Sequence, residues 1–480
     1  MLAVVLISIP NQKPNVRESW TIMAALAKFG IVVSMLPSVL KDSYPAITLL
    51  TISPGISLAL KVDSLGIIFG LSASFLWILT SFFSIGYVRG VPEHKQTRYF
   101  ACFAVCLSAT MGIAFAANLL TLVIFYEILT VATYPLVIHK ETPEAISGGR
   151  KYLVYLLTGG TFLLFALALT YQASGTTNFA AGGILPEQIS KGVVVLLFFL
   201  FLFSFGFKSA IMPMHSWLPT AMVAPTPVSA LLHAVAVVKA GVFGFARAFG
   251  FVIGPHVLLN VGLSDILAGL AAATILVASL IALRQDNLKA RLAYSTVGHL
   301  SYIVLGMAIF SPSAWVGALM HIVSHAMMKI TLFFCAGSIY VKTHCQNVSE
   351  LNGIGRQMPL TMAAFAIASI GLAGIPPVNG FISKWYLVQG AFDTGQLTYV
   401  IVFLLSGLLN VGYLLSIVVR AFFAPSAKFT KFGEASPLMV VPLVMTAVFS
   451  ILLGIFPDRF PYFYQLAATV AASVFGGGGL

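Results

Sequence analysis

The chain has 480 residues, of which 59% are hydrophobic and only 8% charged. A soluble domain carries about 25% charged residues, so a soluble enzyme is excluded and a polytopic membrane protein is described. The formal net charge of +12 does not point to nucleic acid, because no basic tract and no polar domain is present to hold one.

Apolar runs of roughly 17–25 residues mark spanning helices. A short run, Met1–Pro10, comes first; it lacks the basic leading segment of a cleavable signal peptide and counts as the first helix. Longer runs follow at about 20–40, 64–88, 99–117, 118–138, 151–171, 192–212, 227–250, 260–283, 290–310, 313–341, 359–388, 397–421 and 437–456, which makes fourteen. A modest run at 461–475 is expected to lie at the interface. Loops after odd-numbered helices hold sixteen Lys/Arg; loops after even-numbered ones, with the tail, hold five, namely Lys41, Lys61, Lys191, Arg247 and Arg459. This positive-inside bias puts the odd loops in the cytoplasm and the C-terminus outside, in a cell (inner or plasma) membrane.

The other five basic residues, Lys28, Lys208, Lys239, Lys329 and Lys384, fall inside spans. A lysine at the bilayer centre costs at least ~2.5–3.5 kcal/mol on insertion scales. Lys28 is near enough to an end to snorkel; the other four, with Glu127 in the fifth helix, call for a polar interior. A structural ion pair would account for Glu127 alone. After Lys208, Pro213, Pro219, Pro225 and Pro227 break the chain within fifteen residues. The next helix carries His233 and Lys239. His233 alone would be a packed core histidine; beside two lysines and a broken helix it joins the candidates.

Ser295, His299 and Tyr302 share a face of the tenth helix. His321, His325 and Lys329 follow at i, i+4 and i+8 in the eleventh, inside an arc of about 80°. Pro376 and Pro377 break the twelfth just before Lys384. Two breaks with a lysine, five helices apart, predict an inverted repeat: 1–98 for helices one to three, 99–250 for four to eight, 257–421 for nine to thirteen, and 437–480 for the last helix and interfacial tail.

An amine withdrawn from water binds its proton less tightly, and an approaching carboxylate reverses that. A Glu–Lys pair that tightens and separates therefore switches proton affinity, and histidines and serines relay protons between such pairs. Sodium prefers a shell of oxygens, and one deep carboxylate supplies few. At position 384 a titratable acid is expected to replace the amine in part. Cys102, Cys106, Cys335 and Cys345 are read as inert buried thiols. A bis-histidine haem would need two facing helices, whereas His321 and His325 share one. No metal or cofactor site is expected, and redox chemistry would belong to partners.

The stretches "FKSAIMPMHSWLPTAMVAPTPVSALLHAVAVVKAG", "DNLKARLAYSTVGHLSYIVLG" and "GIPPVNGFISKW" resemble the antiporter-like subunits of respiratory complex I, membrane-bound hydrogenases and Mrp cation/proton antiporters, over roughly residues 60–420. The resemblance implies an all-α polytopic fold of about fourteen helices, two inverted five-helix repeats broken in helices 7 and 12, and a polar axis across the membrane middle. It matches Glu127, Lys208, Lys239 and Lys384 to the family's ionisable positions in helices five, seven, eight and twelve, and sets His299, His321 and His325 in the linking stretches. It implies a D-type Mrp subunit exchanging a monovalent cation such as sodium for protons beside other membrane subunits. The alternative is a pumping subunit of an NADH-quinone oxidoreductase or hydrogenase.

Overall fold

A computed structural model describes residues 2–9, 13–91, 93–186, 188–426 and 428–476. Met1 and Pro10, the ends of the expected first run, lie outside the described residues; between them α1 is Leu2–Ser8. Then come α2 (Pro14–Val39), α3 (Ser64–Gly90), α4 (Gln96–Ala114), α5 (Leu119–Val137), α6 (Pro143–Ser174) and α7 (Lys191–Ser209). Continuing, α8 is Thr226–Ile253, α9 Ser264–Arg284, α10 Leu288–Ala308 and α11 Pro312–Thr343. The two halves of α12 are Pro359–Ala373 and Gly380–Asp393. Last are α13 (Leu397–Phe423), α14 (Pro437–Ile455) and α15 (Phe463–Phe475). Among the described residues, eleven helices are long and apolar enough to cross a membrane.

Starts follow local chemistry. Asp63, Asn118, Thr142, Ser190 and Asn287 each accept a backbone N–H in the first turn of α3, α5, α6, α7 and α10. Proline opens α2, α6, α11, the first half of α12 and α14, where its missing N–H is harmless. The spans of α8 and α11 are wholly buried, whereas only 22% of the α2 span is. The core is thus a column of α3, α8 and α11, with α2 and α6 at the periphery.

Both expected breaks are present. Chain direction changes after α7 at Ala210, in the left-handed region, before a short helix at Trp217–Thr220. Gly374, at φ +89°, ends the first half of α12; a side chain there would run into the Lys384 stem. Three π-helical turns, Leu231–Val235 and Phe249–Ile253 in α8 and Val411–Leu415 in α13, interrupt otherwise regular spans.

A latch occurs twice. Asn118, capping α5, bridges to Asn178, and Asn287, capping α10, bridges to Asn347, at the same sequence separation. The first sits near the start of α3, where Ala59 N donates to Thr121 Oγ1 and Arg247 Nη2 donates to the Ala114 carbonyl. Asn287 instead shares a cavity with Tyr87, in the last turn of α3. The two latches therefore mark opposite ends of α3.

Some expectations are corrected. Residues 46–61 form an antiparallel hairpin, β1 (Ala46–Ser53) and β2 (Ile56–Lys61), in a stretch that hydropathy alone leaves as a loop. Lys28 does not snorkel: its Nζ is buried and lies 4.0 Å from the Trp77 ring centroid, so cation–π attraction replaces water. Arg247, expected in a loop, lies inside α8, fully buried. It donates to Asp63 at 2.6 and 2.8 Å, among the rings of Phe179, Phe243 and Phe251. One face of α15, with Phe463, Leu466, Ala467, Val470 and Val474, is buried, and Val470 and Ser473 stand beside Lys61 and Ser64.

Candidate functional site

In the first half of the chain, Lys208 is in the last turn of α7 and 1% exposed. Its Nζ donates to the Tyr126 carbonyl at 2.9 Å and to Thr130 Oγ1 at 3.0 Å, and lies over the Tyr126 ring. Tyr126 and Thr130 flank Glu127 on α5, so helix spacing delivers the amine to the acid's own helix. The acid is turned the other way: a Cβ at Gly160 of α6 would collide with the Glu127 carboxyl. Among the described residues no ion pair joins Glu127 to Lys208, and Glu127 Oε1 is buried without a hydrogen-bond partner. The Glu–Lys pair expected from sequence is thus seen parted, because the ring and carbonyl of Tyr126 hold the amine.

α8 packs backbone to backbone on α7, with Gly241 against Lys208 and Ser209. Two residues before that contact stands Lys239, 1% exposed, its Nζ without a hydrogen-bond partner. It borders a gap shared with Val235, Ile322 and Ala326 that has no volume open to a water-sized sphere. His233, on the π-helical turn just before, packs against Phe333 with ring centroids 4.8 Å apart and has neither ring nitrogen bonded. The structure does not join it to the others by hydrogen bonds.

In the second half the polar groups connect. His299 Nδ1 and His321 Nε2 are 3.1 Å apart, and His321 Nδ1 is 2.8 Å from Ser383 Oγ. The His325 ring lies 5.5 Å from that of His299, with both nitrogens unbonded. Lys329 Nζ donates to Ser295 Oγ at 2.6 Å and to the Leu292 carbonyl at 3.2 Å. Ser295 Oγ is 2.9 Å from the Tyr413 hydroxyl, which also donates to the side-chain carbonyl of Asn410. Asn410 Nδ2 donates to the Leu372 carbonyl at 3.2 Å. Lys384 Nζ donates to that same carbonyl at 2.7 Å and to Ala373 at 3.2 Å, 4.9 Å from the Tyr302 ring centroid.

Polar contacts therefore link Lys329 to Asn410 through Ser295 and Tyr413, Asn410 and Lys384 meet only as two donors on the Leu372 carbonyl, and a second set joins Ser383, His321 and His299. Every one of these side chains is less than a tenth exposed. Buried polar groups are ordinarily satisfied by protein or by water. Those with no protein partner, on Lys239, His233 and His325, are where the bonded set is interrupted. Asn410 and Tyr413 escape a reading of the sequence. An asparagine three residues before a tyrosine in an apolar helix is the available signal, and the π-helical turn beside it brings both to the interior.

Known proteins resemble this chain in sequence and fold. The family model described as "NADH:quinone oxidoreductase/Mrp antiporter, TM" matches residues 116–410. The chain is 32% identical over 407 residues to the NADH-quinone oxidoreductase subunit N of Desulforudis audaxviator, covering 80% of each. It is 31% identical over 418 residues to a probable K(+)/H(+) antiporter subunit of Rhizobium meliloti, covering 84% of this chain and 41% of that one. In fold it is similar to a chain of the Mrp complex from Dietzia sp. DQ12-45-1b, with TM-score 0.85 and 20% identity over 99% of this chain and 95% of that one.

Proposed function

Since the chain belongs to the NADH:quinone oxidoreductase/Mrp antiporter family of membrane subunits, we propose that it translocates protons along Glu127, Lys208, Lys239, His325, Lys329, His299, His321 and Lys384, with His233 lining the path. The observation that carries this reading is the buried polar set between Lys329 and Lys384, bonded as far as Asn410 and joined to Lys384 at the shared Leu372 carbonyl. Proton hopping needs donors and acceptors within hydrogen-bond reach, together with places where contact can be made and broken. Ser295, Tyr413 and the histidine pair supply the first. The parted Glu127 and Lys208, and the dry gap beside Lys239, supply the second.

Helices α4–α8 and α9–α13 form two inverted repeats in this reading, supported by the twin asparagine latches at opposite ends of α3 and the two broken helices. The odd loops face the cytoplasm, supported by their excess of Lys and Arg. The protein works within a multi-subunit complex. Its first reading is a D-type antiporter subunit exchanging a monovalent cation for protons, which the likeness to antiporter chains supports. The second, a pumping subunit of an NADH-quinone oxidoreductase, is supported by the match across 80% of an N subunit. Proteins co-purifying with the intact complex separate the two.

The path is tested by reconstituting the complex in vesicles and following proton uptake. Glu127→Ala and Lys208→Ala are each expected to abolish coupled transport while the complex still assembles. Wild-type transport in either variant removes the path.

A further inference from the structure

Away from the membrane interior, three potential metal ligands converge where two loops meet. Glu93 and His94 lie between α3 and α4, and His139 lies in the turn after α5. Their ligand atoms all fall within 4.8 Å of one another. His139 Nε2 is 3.8 Å from Glu93 Oε2, and the two imidazole rings stack with centroids 5.0 Å apart. His139 is 0% exposed; its ring approaches the His94 backbone, but neither ring nitrogen makes a well-formed hydrogen bond. A buried imidazole without a well-formed hydrogen bond, 3.8 Å from a carboxylate and stacked on a second imidazole, leaves a ring nitrogen open to a further ligand.

The donor set selects the ion. Two imidazoles and one carboxylate suit zinc and its neighbours, whereas calcium and magnesium demand oxygen shells. Zinc bonds nitrogen at about 2.0–2.1 Å, which sets tetrahedral ligand atoms roughly 3.4 Å apart. His94 is the member free to close that distance, its side chain 44% exposed. The surroundings are rich in basic groups, with Lys140 and Lys289 also acting on Glu93. Glu141, 3.6 Å from His94 Nε2, is engaged by Lys95 at 2.8 Å and Arg98 at 2.7 Å, which leaves Glu93 as the anionic ligand.

We infer that Glu93, His94 and His139 bind one zinc-class divalent ion, which clips the α3–α4 connection to the C-terminal end of α5. α5 carries Glu127 three helical turns away, so an ion held here restrains the helix on which that acid sits. The site does not depend on the transport reading, because its ligands lie outside the buried path.

The test uses the intact complex, stripped with chelator, loaded with Zn²⁺ alone, desalted and assayed for metal by mass spectrometry. Wild-type complex is expected to retain one more zinc than complexes carrying His94→Asn or Glu93→Gln. Zn²⁺ should raise the thermal midpoint of the wild type and leave that of His94→Asn unmoved. His94 is half-exposed, so its replacement leaves the fold intact and the comparison readable even where a His139 variant fails to assemble. Equal zinc content in wild type and both variants overturns the site. So does equal thermal protection of the wild type by Mg²⁺, which would show a diffuse charge effect.

Discussion

Tyr413 is the joint between Lys329 and Lys384, and Tyr413→Phe removes that joint while keeping the ring. The hydroxyl bonds the Asn410 side chain and stands 2.9 Å from Ser295 Oγ, in a residue 1% exposed. Losing it leaves one buried atom, the Asn410 side-chain oxygen, without its partner, at about 1–3 kcal/mol for an unsatisfied group. Ser295 Oγ still accepts from Lys329 and is not stranded, so a single orphaned oxygen sets the cost, in the lower half of that range. The connected arrangement should lose about 1.5 kcal/mol, and each 1.4 kcal/mol is a factor of about ten in its population. Proton uptake into vesicles bearing the variant complex, normalised to assembled complex, should therefore fall about tenfold. Uptake within twofold of wild type would show that the two lysines do not communicate through this hydroxyl, and the second-half route would be wrong.

Lys384→Glu should transport no better than Lys384→Ala. The two backbone carbonyls that accept from Nζ argue against the partial replacement expected from sequence, since a carboxylate there cannot donate and would be repelled. A Glu variant with half the wild-type rate in the same vesicles would restore the simple titration reading. Asp63→Asn should destabilise the complex by about 3–5 kcal/mol, because it strands the buried Arg247 guanidinium. Pairing it with Arg247→Leu should recover most of the loss. Thermal midpoints in detergent check the order, and a single variant as stable as the double one would show the pair to be idle.

The spans, both breaks and all four deep lysines are legible because hydropathy and proline act locally. Lys28 and Arg247 are misplaced by sequence because charge alone does not reveal a partner: Trp77 and Asp63 are supplied by other helices. The β1–β2 hairpin has a signal, Pro54–Gly55 between β-branched residues, masked by its apolar content. Asn410 and Tyr413 are hidden by a turn that departs from the 3.6-residue period, so a helical wheel assigns them the wrong faces. Glu93, His94 and His139 carry no spacing motif, since they meet only when the α3–α4 and α5–α6 connections fold onto each other.

The two halves share a latch but hold their lysines differently, and this decides how each can switch. Lys208 rests on α5, the helix of Glu127, so a rotation of that acid away from Gly160 changes the field at the amine. Lys384 rests instead on Leu372 and Ala373, the last residues of the first half of α12. The carbonyl end of a helix carries partial negative charge that falls off within a turn. A fixed dipole thus stands where the first half has a movable carboxylate. The second half can modulate its amine only by shifting the broken ends of α12 relative to each other. The break is tied to α14, where Asn379 N donates to the Ser450 carbonyl, and the first half of α12 to α13 through Asn410. On the proposed path, switching in the first half is therefore expected to be a side-chain rotation, and in the second half a displacement of helix segments carried by α13 and α14.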